Sequence, residues 1–237
     1  MMNATPIYGE RAYLIDKTIV LADLHIGIEE EYRKSGIFLT SQTSIFVERI
    51  RKLCKKYNAK ELIILGDLKH GIGKIERREW KEIPLFIENV EKFVKLKLVK
   101  GNHDGSIEKI VGKEIVSNYI ICDKICLMHG HMRPDEEAFK CEKMIFGHIH
   151  PVIKLVDSLG GKRYEHCWIR GEPRKLEKYK NFRVKEIVVM PAFNELCGKP
   201  ISCKGKTMIE KIAKIQDSKI YLLNGTYLGL FKELVHV

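Results

Sequence analysis

The sequence predicts an α/β fold in which a sheet with a parallel component packs against helices and a second sheet follows. Two observations lead to this prediction. Up to residue 151, short runs rich in Val, Ile and Leu alternate with helical patterns, which is typical of a sheet covered by helices. After residue 151 the strand-like segments follow one another without long helices between them, which favours a second, antiparallel sheet.

Five apolar runs in the first part of the chain predict buried strands. They are TIVLAD (18–23), ELIILGD (61–67), LKLVKGN (96–102), KICLMHG (124–130) and KMIFGH (143–148). The stretch 10–23 resembles a hairpin that leads into the first run, with Asp16 and Lys17 near its turn. The later strand-like segments are RYEHCWIR, FRVKEIVVMP and IYLLNGTYLGLF.

Two segments between the strands carry apolar residues at helical spacing, which predicts amphipathic helices. The first spans residues 41–57, with Ser41 as a candidate cap, and the second spans 78–95. The positions expected to face the core are Ile45, Phe46, Ile50, Leu53 and Cys54 in the first helix, and Trp80, Ile83, Ile87, Val90 and Val94 in the second.

The composition is typical of a globular protein and excludes several classes. No apolar stretch reaches the ~18 residues of a membrane helix, and the first residues do not resemble a signal peptide. The seven cysteines include no paired CxxC zinc pattern, so we expect reduced thiols. These features predict a cytoplasmic location and no contact with membranes.

The net charge of +11 is concentrated in two stretches of the last third of the chain. Residues 161–185 contain nine Lys or Arg and three Glu, and residues 199–214 contain five Lys and one Glu. The first stretch also contains Tyr164, Trp168, Tyr179 and Phe182, so it could bind the phosphates and bases of a nucleic acid, with Arg170 and Arg174 as candidate contacts. Alternatively, the aromatic residues belong to the strand core and the cations form a solvated face.

Polar side chains recur at the ends of the five predicted strands, where the loops of an open α/β sheet converge on one crevice. They are Asp23, His25, Asp67, Asn102, His103, Asp104, His129, His131, His148 and His150. Carboxylate, amide and imidazole donors without a thiolate suit Mn²⁺, Fe²⁺, Ni²⁺ or Zn²⁺. The set is too large for one ion, but an aspartate shared by two ions would accommodate it. Taken alone, His148 and His150 could equally be loop histidines beside a proline turn.

The motifs D-x-H, GD, GNHD, HGH and GHxH, in this order over residues 23–150, resemble those of the calcineurin-like metallophosphoesterase family. The resemblance implies a four-layer αββα sandwich of two mixed β-sheets flanked by helices. With no linker or repeat in the chain, it also implies one domain over residues 1–237. The metal-site half would be 1–151, and the basic half, with the second sheet and the C-terminus, would be 152–237.

The resemblance also implies roles for the residues at the strand ends. The first of two divalent ions, expected to be Mn²⁺ with Ni, Fe or Zn as alternatives, would be held by Asp23, His25, Asp67 and His150. The second would be held by Asp67, Asn102, His129 and His148. His103 would be the general acid that protonates the leaving alkoxide. His129 and His131 compete for one ligand position, and the junction of the strand with His129-Gly130 favours His129, which leaves His131 for the substrate.

The chain departs from the family's protein phosphatases at one position. Those enzymes have an aspartate, three residues after the bridging aspartate, that orients the catalytic histidine, whereas this chain has His70. His70 is therefore predicted to face the phosphate of a substrate or to pack in its loop. GDLKH and MPAFNELCG (190–198) resemble small microbial phosphoesterases related to nucleases found beside helicases and ligases.

These features predict a dinuclear metal-dependent phosphodiesterase, nuclease-like, with a metal-bridging hydroxide as the nucleophile. Its substrate would be nucleic acid or nucleotides, and a helicase or ligase could be its partner. One alternative is a small-substrate phosphomonoesterase or nucleotide hydrolase. Another is a non-catalytic metal-bound scaffold that binds nucleic acid or protein.

Overall fold

A computed structural model describes residues 3–177, 179, 181–200 and 207–234. In these ranges two mixed β-sheets pack face to face and helices cover their outer faces, so the predicted α/β sandwich is confirmed. Four lysines of the basic stretches, Lys178, Lys180, Lys204 and Lys206, lie outside the described residues.

The first sheet has six strands in the order of the chain. They are β1 (Ala4–Pro6), β2 (Tyr13–Ile15), β3 (Thr18–Leu21), β4 (Glu61–Leu65), β5 (Lys95–Val99) and β6 (Val116–Ser117). Strands β3 to β6 are parallel, whereas β1, β2 and β3 pair antiparallel. Ile15 pairs with Thr18, which confirms the predicted hairpin turn at Asp16 and Lys17.

The second sheet runs in the order β13-β10-β11-β12-β9-β8-β7, and β14 pairs with both β11 and β15. Its strands are β7 (Tyr119–Cys122), β8 (Ile125–Met128), β9 (Lys143–Phe146), β10 (Pro151–Val156), β11 (Lys162–Gly171), β12 (Glu186–Val189), β13 (Lys199–Pro200), β14 (Lys219–Leu222) and β15 (Tyr227–Leu230). Strands β8, β9 and β12 are parallel neighbours.

The division of the strands between the two sheets differs from the prediction. The sequence favoured a second sheet after residue 151, but β8 and β9 already belong to it. The parallel partner of β9 is β12, about forty residues further along the chain, so no local pattern could reveal the pairing. As a result, each sheet contributes parallel strands to the same end of the molecule.

Seven α-helices lie among the described residues: α1 (Glu29–Lys34), α2 (Thr43–Tyr57), α3 (Arg77–Glu91), α4 (Glu108–Val111), α5 (Glu136–Phe139), α6 (Met208–Ile212) and α7 (Phe231–Leu234). Both long predicted helices are present, and Ser41 Oγ accepts the Thr43 N–H at 3.2 Å at the start of α2, although α3 ends earlier than expected. Ile45 and Trp80 are about half exposed, so their predicted core positions are wrong. None of the helices in the described ranges has the length and apolar character that a membrane span requires.

Alternation along the strands separates the core into layers, because successive side chains of a strand point to opposite faces. In β4, Ile63 packs between the two sheets, while Leu62 faces the helices α2 and α3. Trp168 of β11 fills the space between the sheets, and Ile169 faces the outer side with α5 and α6. With both faces of each sheet covered, the central strands read as continuous apolar runs.

Candidate metal centre

The loops that follow β3, β4 and β5 of the first sheet meet the loops that follow β8 and β9 of the second. Hydrogen bonds join the two sets directly. The His148 N–H donates to the Asp23 carboxylate at 3.1 Å, and His129 Nδ1 lies 2.8 Å from the carbonyl oxygen of Leu65. The predicted convergence therefore occurs, but it involves the strand ends of two sheets rather than one.

Two of the groups of donor atoms that the side chains form contain carboxylates, and these two groups share Asp67. Asp23, His25, Asp67 and His150 offer atoms within 4.8 Å of one another, and so do Asp67, His129 and His148. Asn102 Oδ1 lies 3.0 Å from His129 Nε2, so it belongs with the second group. The structure thus brings together all seven predicted ligands, with Asp67 between the two groups.

The charges in this cluster depend on one another because the side chains are almost fully buried. Burial disfavours the charged form of Asp67, but the hydrogen bond and charge of His129 outweigh it and lower the pKa of the carboxyl. Burial alone would lower the pKa of His129, yet Asp67 and Asp23 raise it to about 9. The two buried carboxylates therefore require nearby positive charge, which a proton on His129 supplies.

His25 and His148 offer neutral ring nitrogens, whereas at His150 the charge and hydrogen bond of Asp23 outweigh burial and raise the pKa. Burial and the charge of His150 lower the pKa of His25 to about 3, and burial and His129 lower the pKa of His148 to about 4. Two buried carboxylates faced by imidazole lone pairs are a donor set that suits a pair of divalent cations, which would replace the proton on His129. The residues present therefore fit the two ions.

The backbone of the cluster is held in an unfavourable conformation. The left-handed φ angles are 59° at Asp23, 45° at His25, 51° at Asp67, 73° at His148 and 49° at His150. Residues other than glycine adopt this region at a cost, and such strained residues often cluster at functional sites. Gly101 allows the close approach of the next loop, because a Cβ atom there would lie 2.2 Å from the Asp67 backbone nitrogen.

His103, the predicted general acid, lies at the edge of the cluster. Its backbone N–H donates to Asp67 Oδ1 at 2.8 Å, and its Nε2 lies 4.0 Å from Asp67 Oδ2. Its Nδ1 contacts the backbone carbonyl oxygen of His70, which can only accept a hydrogen bond. Nδ1 must then carry a proton, which leaves Nε2 facing the space beside the two groups.

His70 and His131, the predicted substrate contacts, also lie at the cluster. The Nδ1 atom of His70 lies 3.3 Å from His25 Nδ1, and its Nε2 lies 2.7 Å from Glu31 Oε2. The ring of His131 packs on those of His129 and His148, and its buried Nδ1 has no hydrogen-bond partner among the described residues.

The structure does not bring Arg170 and Arg174 to this cluster. Arg170 Nε donates to Glu186 at 2.8 Å, at the end of the sheet where β9 and β12 begin, whereas His148 follows the opposite end of β9. Arg174 Nε donates to the carbonyl oxygens of Glu210 and Ala213. Of the aromatic residues in the basic stretch, Trp168 is buried in the core, and Tyr179 and Phe182 pack against the core of the second sheet.

Three residues that the sequence did not single out complete the centre. Asn194 is buried, donates through Nδ2 to the Leu24 carbonyl oxygen at 2.8 Å, and so holds the loop that carries Asp23 and His25. Cys197 Sγ lies within 4.8 Å of donor atoms of His25 and His150, and burial raises the pKa of its thiol. Asn194 and Cys197 both belong to the MPAFNELCG stretch, whereas Glu31 had no signal in the sequence.

Comparison with known proteins identifies a family whose model covers these residues. The family model described as calcineurin-like phosphoesterase matches residues 17–184, which include all seven candidate ligands and His103. No curated protein matches the sequence at a significant level.

Comparison with solved structures finds matches that cover most of the chain. The nuclease MPE of Pseudomonas putida is 19% identical, with a TM-score of 0.58 over 96% of this chain and 100% of that chain. The phosphoesterase Yfce from E. coli is 17% identical, with a TM-score of 0.43 over 90% of this chain and 96% of that chain.

Proposed function

We propose that this chain, which belongs to the calcineurin-like phosphoesterase family, is a dinuclear metal-dependent phosphodiesterase. Members of this family hydrolyse phosphoric esters with divalent metals. The proposed substrates of this chain are nucleic acid or nucleotides. The observation that carries the proposal is the position of Asp67, which belongs to both groups of donor atoms. A shared carboxylate is the feature that distinguishes a two-ion centre from two separate sites.

The proposed ligands divide between the two groups. Asp23, His25, Asp67 and His150 would hold one ion, and Asp67, Asn102, His129 and His148 would hold the other. When bound, the ions would polarise a phosphoryl oxygen and activate a water molecule for attack on phosphorus. Mn²⁺ is the proposed metal, and the same oxygen and nitrogen donors would accept Ni²⁺, Fe²⁺ or Zn²⁺.

His103 is proposed to deliver the proton that the leaving group needs. Its Nδ1 proton is held by the His70 carbonyl, so the ring is fixed with Nε2 toward the centre. When protonated, Nε2 would give its proton to the leaving alkoxide, and the carbonyl would keep the ring aligned during the transfer. In this chain a main-chain oxygen would thus do what the aspartate does in the protein phosphatases.

Nucleic acid is proposed as the substrate because hydrolysis of its diester bonds releases an alkoxide that needs a proton, and His103 is placed to supply that proton. The similar structure from P. putida is named a nuclease, which agrees with this choice. His131 is proposed to contact the substrate beside the second group of donors, because its buried Nδ1 has no partner in the part of the chain that the structure describes.

A screen of metal-reconstituted protein tests the proposal. We expect bis-p-nitrophenyl phosphate and a labelled oligonucleotide to be hydrolysed faster than p-nitrophenyl phosphate, with the highest rates in Mn²⁺. Rapid hydrolysis of the monoester without cleavage of any diester or oligonucleotide would overturn the phosphodiesterase assignment.

A nucleotide hydrolase or phosphomonoesterase is the second candidate, and two observations favour it. The cavity lined by His25, His70, His103 and His150 measures about 410 Å³, which is the size of a small-molecule site. The arginines Arg170 and Arg174, predicted to bind a nucleic acid, make contacts elsewhere. A helicase or ligase partner, a cytoplasmic location and one domain over residues 1–237 remain proposals.

A further inference from the structure

The two ring nitrogens of His25 face different partners. Its Nε2 lies 3.3 Å from His150 Nε2 and 3.6 Å from Asp67 Oδ2, so this atom points into the first group of donors. Its Nδ1 points the other way and lies 3.3 Å from Nδ1 of His70. The side chain of His25 is almost fully buried, with 3% of its area exposed, so its contacts within the protein determine its state.

The contacts allow one placement of the protons once Nε2 of His25 offers its lone pair to a cation. The His25 proton must then sit on Nδ1 and be donated to Nδ1 of His70, which must be free of a proton. His70 therefore carries its own proton on Nε2. That atom lies 2.7 Å from Glu31 Oε2, an oxygen that can only accept. This arrangement gives a donor and an acceptor to both contacts, from His25 to His70 and from His70 to Glu31.

We propose that Glu31 and His70 form a relay that orients His25 and increases its basicity toward the first ion. This inference rests on the proposed function, because it concerns one of the two ions assigned there. A histidine that binds a metal generally donates its second N–H to a partner that fixes the ring and strengthens the ligand. Here that partner is a second imidazole, which is in turn fixed by a carboxylate.

The relay also accounts for the presence of His70 where the protein phosphatases have an aspartate. Both ring nitrogens of His70 already have partners, so its side chain is not a free donor for a phosphate. Its main-chain oxygen meanwhile contacts His103 Nδ1. His70 is therefore a positioning residue for two histidines, through its side chain toward His25 and through its backbone toward His103.

The members of the relay differ in exposure, which predicts the size of their effects. His70 has a side-chain exposure of 21%, whereas Glu31 is 71% exposed and its charge is screened by water. Loss of the His70 acceptor should weaken the affinity for the first ion by ~10–100-fold, the range found when the partner of a metal-binding histidine is removed. Loss of the Glu31 charge should weaken it by only ~2–5-fold, as for exposed ion pairs.

Calorimetric titration of Mn²⁺ into the metal-free protein tests the relay without any measurement of activity. We expect two binding events in the wild type and a weaker affinity for one of them in His70→Leu. His70→Asn should recover most of that affinity, because the amide oxygen of Asn takes the place of the Nδ1 acceptor. Glu31→Gln should show the small loss, and Glu30→Gln is the matched control, since Glu30 bonds to Arg33 and Arg78 and should bind both ions normally.

The outcomes separate the relay from the proposed function. Two normal events in His70→Leu, or equal weakening of both events, would overturn the relay and leave the two-ion centre intact. Failure of His70→Asn to recover affinity above His70→Leu would likewise overturn it. A wild-type protein that binds no pair of ions would overturn the proposed function and the relay together.

Discussion

The metal-centre loops and the basic stretch 161–185 were both predicted from the sequence to be functional regions, but their side chains make different kinds of contact in the structure. In the loops, side chains that are distant in sequence meet, with two carboxylates and several imidazoles buried together. In the basic stretch, Arg170 pairs with Glu186 and Arg174 bonds to main-chain carbonyls. An ordered set of carboxylate, amide and imidazole residues along the chain indicates a metal site. An excess of Lys and Arg alone does not indicate a binding site, because nearby carboxylates and carbonyl oxygens can pair with these cations.

Asp67→Asn should show the largest effect on the metal-centre side of this comparison. The change removes a charge that both groups of donors share, so both ions should bind more weakly and hydrolysis should fall by about 10³-fold or more. Metal content by elemental analysis and kcat/KM on a diester are the measurements. Retention of two ions with near-normal activity would mean that Asp67 is not the bridging residue.

His103→Ala should lower kcat by ~10²–10⁴-fold while both ions remain bound, because His103 is proposed to move a proton and not to hold metal. The loss should be greater on an oligonucleotide, whose alkoxide leaving group needs the proton, than on bis-p-nitrophenyl phosphate. The measurement is the ratio of kcat values on the two substrates at full metal loading. Equal losses on both would contradict the acid role.

Asn194→Ala should lower the free energy of unfolding by about 1–3 kcal/mol, because the Leu24 carbonyl and the Leu196 N–H lose their buried partner. The loop that carries Asp23 and His25 should then hold metal less tightly. Denaturant unfolding and Mn²⁺ titration are the measurements, with the exposed Asn118→Ala as the control. A variant as stable as this control would show that the loop does not depend on Asn194.

Glu186→Gln tests whether the ion pairs of Arg170 and its neighbour Lys143 with Glu186 stabilise the fold. Burial would raise the pKa of Glu186, but hydrogen bonds from Lys143 and Arg170 outweigh it and lower that pKa. A lowered folded-state pKa stabilises the protein above the ordinary glutamate value of about 4.3, and this contribution is lost as the pH falls through the folded-state value.

We therefore expect Glu186→Gln to cost about 1 kcal/mol of unfolding free energy at neutral pH and progressively less in acid. Urea unfolding of wild type and variant over a pH series is the measurement. A stability difference that stays constant, or that grows as the pH falls, would show that the ion pairs of Glu186 do not stabilise the fold in this way.

Arg170→Gln should have the smallest effect on substrate binding. Because the guanidinium is engaged by Glu186 at the opposite end of the sheet, affinity for an oligonucleotide should stay within about twofold, and its salt dependence should not change. Fluorescence anisotropy over a range of salt concentrations measures both quantities. A salt slope reduced by about one would mean that Arg170 contacts a phosphate, as the sequence first suggested.

The strands and the long helices could be predicted because their signals are local. A run such as ELIIL records a strand that is buried on both faces, and the spacing of Phe46, Ile50 and Leu53 records a buried helix face that recurs about every 3.6 residues. The assignment of β8 and β9 to the second sheet could not be predicted, because β12 follows much later in the chain. Trp80 has the spacing of a core residue, yet the helix turns it half toward solvent.

The types of donor, their order and their positions after strands are visible in the sequence, because each is a local feature of the chain. Such side chains are seldom buried together without a cation to balance them. The folded structure was needed to show that two sheets supply the centre, that Asn194 holds the loop of Asp23, and that His70 contacts both His25 and Glu31. Contacts between residues far apart in the chain depend on how strands pair and sheets pack. The side chain of an exposed helical glutamate such as Glu31 carries no local mark of such a contact.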